Sequence, residues 1–386
     1  MRTLISLINH RNISTLVATK ALRPRKIYLL HAGTDEDRRD LETFARFFGN
    51  LYTKIELVDR EMDFYDCEAI RRDLKKIVAE EGDVTLDLSN GNPVAVMLIR
   101  EGSQDMKIPV FVFSERDEKA VLLKNGECTP VEIEKIELKV QNFVESGGGS
   151  VFGKSTDVFE SVPVKKLLKW QISHHTRWME MNDILKRKSV LKAVEDDLKN
   201  NLVIATLDHL SETQQQRILE YIYLLQEYRI AKMKKERQSR YSLDFRSEKL
   251  KRYVMSSGFW LEAIAYHGLK YLEILDDLES GVSFFWDDQK QKLSNEIDVV
   301  GVYREKLVVV SCKDTPRYME KDLYELAASA DALGGSSSIR LLISTFWPDR
   351  QIIRDRAAKL KINLIRYEGD VDAFGSALRA CFPAKE

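Results

Sequence analysis

The chain has 386 residues, with 60 Lys and Arg balanced by 61 Asp and Glu, and its net charge is −1. This balance excludes a protein that binds nucleic acid over its whole surface, so any such contact must come from a local patch. Hydrophobic residues make up 44% and charged residues 31%, which is typical of a folded, soluble protein, and the length favours about two or three domains.

The sequence predicts a cytoplasmic protein without a membrane span. It has no run of about 18 apolar residues, and its N-terminus, MRTLISLINH, lacks the pattern of a signal peptide. The four cysteines are scattered without CxxC spacing, which favours reduced thiols over disulfides or a zinc site.

Residues 1–115 alternate short apolar runs with helical patterns. This alternation predicts a parallel, doubly wound, Rossmann-like sheet with right-handed crossovers. The predicted strands are Thr3–Ile8, Lys26–His31, Lys54–Val58, Val84–Leu88 and Pro109–Phe113, and the predicted helices are Ser14–Leu22, Asp35–Phe48, Cys67–Glu81 and Pro93–Glu101.

Ligands of such sheets bind beyond the carboxyl ends of the strands, where three loops should meet. In the loop Ser89–Pro93, small residues allow close approach of backbone N–H groups, and Pro93 can open a helix whose N-terminus suits a phosphate. A plain strand–turn–helix connection explains this spacing equally well. The candidate ligand-binding residues of the three loops are Asn9, His10, Arg11, Ser14, Thr34, Ser89, Asn90, Gly91 and Asn92.

The segment that follows combines a predicted hairpin with a linker. Lys119–Cys128 has an Asn-Gly turn, and ESGGGS at Glu145–Ser150 is typical of a linker. Gly148–Ser155 matches the phosphate-loop pattern GxxxxGK[ST], but no buried apolar strand precedes it. We therefore interpret Gly148–Ser155 as a flexible hinge.

Residues 160–250 are predicted to be mainly helical, with helices at Val164–Lys186, Leu191–Asn200 and Glu212–Lys235. The densest basic cluster is Lys232–Arg240, KMKKERQSR. It either follows a phosphate backbone or forms the solvated C-terminal end of a helix, and the second interpretation is favoured.

The stretch Asn295–Asp314 predicts a β-hairpin, preceded by a helix at Phe259–Leu275 that carries Glu262. A turn centred between Arg304 and Glu305 places Asp298 opposite Ser311 and Glu296 opposite Lys313. Because side chains alternate along a strand, these four should share one face, and the other face should carry Ile297, Val310 and Cys312.

This polar face is suited to phosphodiester cleavage. Carboxylate oxygens are the ligands that Mg²⁺ or Mn²⁺ prefers, and a lysine can neutralise charge on the phosphate. Asp298 is the predicted metal ligand, and Glu262 supplies a second carboxylate if its helix covers the sheet.

Four segments resemble the PD-(D/E)xK restriction-endonuclease-like fold: GFWLE around Glu262, then NEIDVV, VSCK and LYELAASADALGG. With the N-terminal Rossmann-like unit, the whole chain resembles the CARF-domain ancillary nucleases of type III CRISPR systems. The resemblance implies a CARF-like sensing domain at residues 1–150, a helical middle region at 151–250 and a nuclease domain at 251–386. It further implies a homodimer, activated by cyclic oligoadenylate, usually cyclic tetra-adenylate, that cuts single-stranded DNA or RNA or nicks DNA with Mg²⁺ or Mn²⁺.

The chain departs from that family pattern at two places. Ser311 stands where the family commonly has Glu or Asp, so the metal would depend on Glu262, Glu296 and Asp298. Asn92-Pro93 replaces a Thr-Lys pair, a loss for which His10 or Arg11 could compensate. Two alternatives stay open: a non-catalytic cyclic-oligoadenylate sensor with a degenerate nuclease fold, and a conventional repair or restriction nuclease without a second messenger.

Overall fold

The computed structural model describes residues 2–9, 13–115, 117–187, 189–194, 201–286, 293–316 and 319–383. Within these ranges the strands form three sheets of seven, four and six strands. None of the helices in these ranges is long and apolar enough to cross a membrane.

The predicted Rossmann-like sheet is confirmed, and its strand order is β3-β2-β1-β4-β5-β6-β7. Its first five strands are parallel, and the last two form the antiparallel hairpin predicted around the Asn-Gly turn. The strands are β1 (Arg2–Leu7), β2 (Lys26–His31), β3 (Glu56–Glu61), β4 (Asp83–Asp87), β5 (Val110–Ser114), β6 (Lys119–Lys124) and β7 (Glu127–Val131). The helices that connect the parallel strands are α1 (Ile13–Leu22), α2 (Asp35–Leu51), α3 (Cys67–Glu81) and α4 (Pro93–Gly102).

The segment predicted as a flexible hinge is ordered. After α5 (Val140–Ser146), residues Ser150–Gly153 form β8, which pairs with the C-terminal sheet. A Cβ added to Gly149 would lie 2.4 Å from the carbonyl oxygen of Phe285. Lys154 donates to Glu279 Oε1 at 2.7 Å. The hinge interpretation is therefore wrong from residue 150 onward, and the strand geometry does not form a phosphate loop.

The middle region is not mainly helical, contrary to prediction. It contains α6 (Thr156–Glu160), α7 (Val162–Ser173), α8 (His175–Leu185) and α9 (Glu212–Glu227), and also a four-stranded sheet of order β11-β12-β10-β9. Its strands are β9 (Leu191–Ala193), β10 (Leu202–Thr206), β11 (Ala231–Arg237) and β12 (Arg240–Phe245). Residues 195–200 of the predicted helix Leu191–Asn200 lie outside the described residues.

The basic cluster Lys232–Arg240 lies on this sheet and not at a helix end. Helix α9 stops at Glu227, and Arg229 has a φ of +59° that an α-helix cannot contain. The chain then enters β11, which is an edge strand. Lysines on edge strands discourage pairing with other sheets, which gives the cluster a structural role.

The C-terminal unit is built on a six-stranded sheet of order β17-β16-β15-β14-β13-β8. Core residues lie on both of its faces, among them Val308 and Val310 on the α11 side and Val309 on the α12 side. The predicted hairpin therefore occupies the centre of the sheet. The strands are β13 (Asp277–Phe285), β14 (Ser294–Tyr303), β15 (Lys306–Lys313), β16 (Ile339–Ser344) and β17 (Ile362–Arg366), and the helices are α10 (Glu248–Met255), α11 (Phe259–Tyr271), α12 (Glu320–Gly334), α13 (Gln351–Lys359) and α14 (Val371–Ala380).

Candidate active site

The central hairpin has the register predicted from its sequence. Backbone pairing runs from Tyr303–Lys306 at the tip to Val299–Val310. Beyond that pair, Asp298 Oδ2 accepts the backbone N–H of Cys312 at 2.6 Å and the hydroxyl of Ser311 at 3.4 Å. Asp298 and Ser311 are thus neighbours across the strands, as predicted.

One predicted feature of the hairpin is wrong. Ile297 belongs to the core on the α12 side, whereas Val310 and Cys312 pack on the α11 side. The alternation of β14 is broken at Asp298. On the adjacent strand β13, Gly281 lies between the partners of Val299 and Ile297 and has a φ of +52°. The register is the same on both sides of Gly281, so Ile297 changes face without an inserted residue in either strand.

Glu296 and Lys313 do not pair with each other, which corrects the predicted cross-strand contact. Glu296 accepts two hydrogen bonds from Arg252 of α10, at 2.9 and 3.0 Å. Lys313 Nζ lies 3.0 Å from Asp322 Oδ1 of α12. Burial lowers the pKa of Lys313, but its contacts with Asp322 and Asp298 more than compensate, so its pKa is raised and the amine stays protonated. Both partners come from helices that a hairpin sequence alone cannot reveal.

The four predicted residues of the polar face nevertheless line one cavity of about 530 Å³ between the hairpin and α12. They are Glu296, Asp298, Ser311 and Lys313. This volume lies in the range of ligand pockets. The polar face predicted for the hairpin therefore opens into a real cavity, with the cation of Lys313 at its wall.

Glu262 is a half-buried residue of α11 that does not line this cavity but whose charge interacts with that of Asp298. Its Oε2 atom is buried and has no hydrogen-bond partner. Burial raises the pKa of Glu262 well above its ordinary value, and the charges of Asp298 and Glu296 raise it further. The pKa of Asp298 is also raised, first by burial and then by Glu296, although the Cys312 N–H and Lys313 oppose the shift. Because each of these desolvated carboxylates makes ionisation of the other more costly, a cation bound between them would be stabilised by both.

These residues fit a hard divalent cation. Glu262 and Asp298 offer carboxylate oxygens and Ser311 offers a neutral hydroxyl, the ligand types that Mg²⁺ and Mn²⁺ accept. The orphaned Oε2 of Glu262 would gain a partner if the cation bound. No group of three or more His, Cys, Asp or Glu side chains placed to hold a metal occurs in the described parts of the chain. A metal here would therefore depend on two carboxylates.

The predicted ligand loops lie at the carboxyl ends of the N-terminal strands, and several of their residues have structural contacts. Thr34 caps α2, and Asn92 Oδ1 caps α4 by accepting the Val94 N–H at 2.8 Å. Asn90 and Ser14 are buried, and the hydroxyl of Ser14 has no hydrogen-bond partner. Asn9 lies at the end of β1, while His10 and Arg11 lie outside the described residues.

The loop after β4 is supported by a carboxylate that the sequence reasoning missed. Asp87 is fully buried and accepts hydrogen bonds from the hydroxyls of Ser6 and Ser89, at 2.9 and 2.6 Å. Burial raises its pKa to about 6. The available signal was an aspartate within the otherwise apolar run VTLDL. In the same loop, Gly91 has a φ of +104°, and its backbone passes so close to Leu7 that a Cβ would collide with it.

Comparison with known proteins supports the C-terminal assignment. Residues 248–373 match the Card1-like endonuclease domain, which confirms the resemblance expected for this segment. A comparison with curated proteins finds no match.

Solved structures share the fold of the whole chain. Can2 from Sulfobacillus thermosulfidooxidans, in complex with cyclic tetra-adenylate, aligns over 100% of both chains at 15% identity, with a TM-score of 0.73. Protein VC1899 from Vibrio cholerae aligns over 98% of this chain and 96% of its own at 18% identity, with a TM-score of 0.74. A type III CRISPR defence DNA nuclease activated by cyclic oligoadenylate aligns over 97% of this chain and 51% of its own, at 15% identity and a TM-score of 0.56. The predicted α/β fold class is confirmed.

Proposed function

We propose, from the Card1-like endonuclease domain at residues 248–373, that the chain is a cyclic-oligoadenylate-activated, metal-dependent endonuclease of type III CRISPR antiviral defence. Its substrates are single-stranded DNA or RNA, or duplex DNA that it nicks. The observation that carries the proposal is the pair of half-buried carboxylates, Glu262 and Asp298, whose charges interact with each other and with that of Lys313.

The chemistry follows from these side chains. Glu262 and Asp298 would hold Mg²⁺ or Mn²⁺, which polarises a phosphate and lowers the pKa of a bound water. Lys313 neutralises charge that develops on the phosphate oxygens. Asp322 holds the Lys313 ammonium in place from α12, at 3.0 Å.

The N-terminal sheet is proposed to bind the activator, cyclic tetra-adenylate. Support comes from the fold shared with Can2, whose structure contains this ligand, and from the placement of the three loops at one sheet edge. The N-termini of α2 and α4 lie at that edge, where backbone N–H groups and the helix dipole favour phosphates. We propose a homodimer in which one ring is shared by two N-terminal sheets. Activation then requires that the ring bind one state of the dimer more tightly than the other.

The test is a cleavage assay that crosses cyclic tri-, tetra- and hexa-adenylate with Mg²⁺ and Mn²⁺, on single-stranded and supercoiled substrates. We expect cleavage only with both a metal and an activator. Asp298→Ala should abolish it, and Lys313→Ala should lower the rate by about 100- to 1000-fold, as expected when one electrostatic partner of the transition state is removed. Full activity in either variant would contradict the assignment, and cleavage independent of any cyclic oligoadenylate would favour a conventional nuclease.

The non-catalytic sensor remains the second candidate, because Ser311 supplies a neutral oxygen where an acidic ligand is expected. Calorimetric titration with Mn²⁺ separates the two functions. The nuclease requires binding that weakens in Glu262→Gln, whereas a chain that binds no divalent ion and cleaves nothing would be the sensor.

A further inference from the structure

The tip of the catalytic hairpin is in direct contact with the N-terminal unit. Arg304 Nη1 lies 2.5 Å from Glu118 Oε2, and Lys306 Nζ lies 2.7 Å from Glu118 Oε1. Glu118 immediately precedes β6, so a single carboxylate of the N-terminal sheet binds both flanks of the turn between β14 and β15. The contact spans more than 180 residues of sequence.

This contact is partly shielded from solvent, which makes it stronger than an ordinary surface ion pair. The exposed fractions of the side chains are 24% for Glu118, 31% for Arg304 and 14% for Lys306. Burial raises the pKa of Glu118, but the hydrogen bonds from Lys306 and Arg304 outweigh it, and the pKa is lowered overall. The three residues therefore form a charged cluster in which one carboxylate accepts hydrogen bonds from two cations.

The cluster borders a cavity of about 600 Å³ between the two units. Glu305, at the same turn, accepts a hydrogen bond from the backbone N–H of Ile136. The N-terminal unit thus contacts three consecutive residues of the tip, Arg304, Glu305 and Lys306. Beside the cavity the two units share one hydrophobic core, in which Val302 and Leu307 of the hairpin cluster with Phe113 and Ile136 of the N-terminal unit. A displacement of the N-terminal unit would therefore act on the tip through packing as well as through Glu118.

Glu118 is also connected, through β5, to the proposed activator loop. The hydroxyl of Ser89, the first residue of that loop, accepts the backbone N–H of Phe113 at 2.8 Å. Phe113 lies on β5, five residues before Glu118. Phe113 and Ser114 pair with Ala120 and Lys119 of β6, so a displacement of the loop that moves Ser89 would act on the start of β6, next to Glu118.

The hairpin can carry such a displacement to the active site. Five consecutive cross-strand pairs connect the tip to Val299 and Val310, next to Asp298 and Ser311. Because β14 and β15 are also hydrogen-bonded to β13 and β16, a displacement of the tip would reach Asp298 and Ser311 as a shift of this part of the sheet and not as a motion of the hairpin alone.

We infer that Glu118 is a positioning residue that couples the activator loop to the catalytic hairpin. It holds the tip through Arg304 and Lys306, and occupancy of the N-terminal site sets the position of Asp298 and Lys313 through this contact. The inference rests on the proposed function and deepens it, because it assigns the coupling to particular residues.

The test compares the full chain with Glu118→Gln, which removes the charge at nearly constant size, and with Glu127→Gln as the matched control. Glu127 is an exposed glutamate at the start of β7, at the opposite end of β6 from Glu118. We measure kcat and the substrate KM with and without saturating activator, and the melting temperature of each variant. Glu118→Gln should lower the activation ratio by about tenfold, within the usual range of allosteric coupling, with little change in KM. Glu127→Gln should leave both unchanged.

A charge-reversed variant separates coupling from a merely structural role. Glu118→Lys alone should also lose activation, and the triple variant Glu118→Lys, Arg304→Glu, Lys306→Glu should recover most of it. If the wild type is activated normally and Glu118→Gln is activated just as fully, the coupling role is overturned while the proposed function stands. The same holds if the triple variant folds normally but recovers no activation. A wild type that ignores every cyclic oligoadenylate would overturn the proposed function and the coupling with it.

Discussion

Glu262 keeps a buried carboxylate oxygen without a hydrogen-bond partner. Burial of an unpaired carboxylate is costly, and the neighbouring Asp298 adds repulsion. Such a cost is common at functional sites, where the arrangement that binds a ligand is not the most stable one without it. We therefore expect stability and metal affinity to oppose each other at this residue.

Glu262→Gln should stabilise the metal-free chain at pH 8 by about 1–2 kcal/mol, because the amide needs neither a desolvated charge nor a proton held above the ordinary pKa of a carboxyl group. Since the folded-state pKa of Glu262 is raised, its wild-type penalty is absent below the ordinary pKa of glutamate and grows as the pH rises through the folded pKa. Thermal melts across pH, with and without Mn²⁺, measure this effect. Metal should raise the melting temperature of the wild type but much less that of the variant. An equal rise in both would remove Glu262 from the metal site.

Asp87 makes a second prediction at the residue scale. Its pKa is raised from 3.8 to about 6, so the protonated form is favoured in the folded chain. The stability that it contributes is present below pH 4 and is lost as the pH rises to about 6, by an amount on the order of 3 kcal/mol. Asp87→Asn should lack this dependence while still accepting the Ser89 hydroxyl.

Urea denaturation between pH 4 and 7 checks the Asp87 prediction. The difference in unfolding free energy between wild type and Asp87→Asn should change across this range. The control Asp83→Asn, at the exposed start of the same strand, should follow the wild type. A constant difference between wild type and Asp87→Asn would contradict the raised pKa.

At the scale of elements, β8 shows how a linker sequence becomes part of a sheet. The segment GGSVFGKS combines glycines with a short apolar pair, and no local signal distinguishes a loop from an edge strand. Its pairing with Phe284 and Phe285 depends on residues more than 130 positions away. The glycines then have different roles, because Gly149 lies against a carbonyl of β13 whereas Gly147 has room for a side chain.

Gly149→Ala should destabilise the chain by about 1–3 kcal/mol, because its Cβ would meet the carbonyl oxygen of Phe285 at 2.4 Å and the strand must move. Gly147→Ala is the matched control. Its Cβ would have its nearest neighbour at 3.6 Å, so we expect a change below about 0.5 kcal/mol. Chemical denaturation of both variants measures the difference. Equal effects would show that the linker is as flexible as its composition suggests.

The sequence predicted those elements whose signals are local. Alternation and turn position were sufficient for the register of β14 and β15, and the alternation of apolar runs with helical patterns marked the elements of the N-terminal sheet. The middle sheet was missed because β11 is recognised by its pairing with β12, whereas its own residues, AKMKKER, suit a helix equally well. The partners of Glu296 and Lys313 were missed for the same reason: Arg252 and Asp322 approach only after the helices pack.

On the scale of the whole molecule, a Rossmann-like sheet and a segment that matches an endonuclease domain are connected within one chain. The domain limits at residues 150 and 250 stay predictions, and so does the dimer. The surface of α4 supports association, because Val94 and Met97 are exposed apolar side chains on the helix that follows the proposed activator loop.

We expect the chain to sediment as a species of twice its mass of 44.6 kDa, with or without activator. Met97→Glu should shift it towards the monomer and remove activation, because a ring shared by two sheets would lose half of its contacts. Analytical ultracentrifugation combined with the cleavage assay measures both effects. Tyr271→Glu, which alters an exposed aromatic residue of α11, is the control and should stay dimeric. A fully activated monomer would contradict the shared ring.

The contact between Glu118 and the hairpin tip also affects how much activator is needed, because energetic coupling between two binding sites is reciprocal. If the activator stabilises the cutting arrangement through Arg304 and Lys306, a divalent ion that prefers the same arrangement must raise the affinity for the activator by the factor by which the activator raises the affinity for the ion. The activator concentration that gives half-maximal cleavage would then fall as the metal concentration rises.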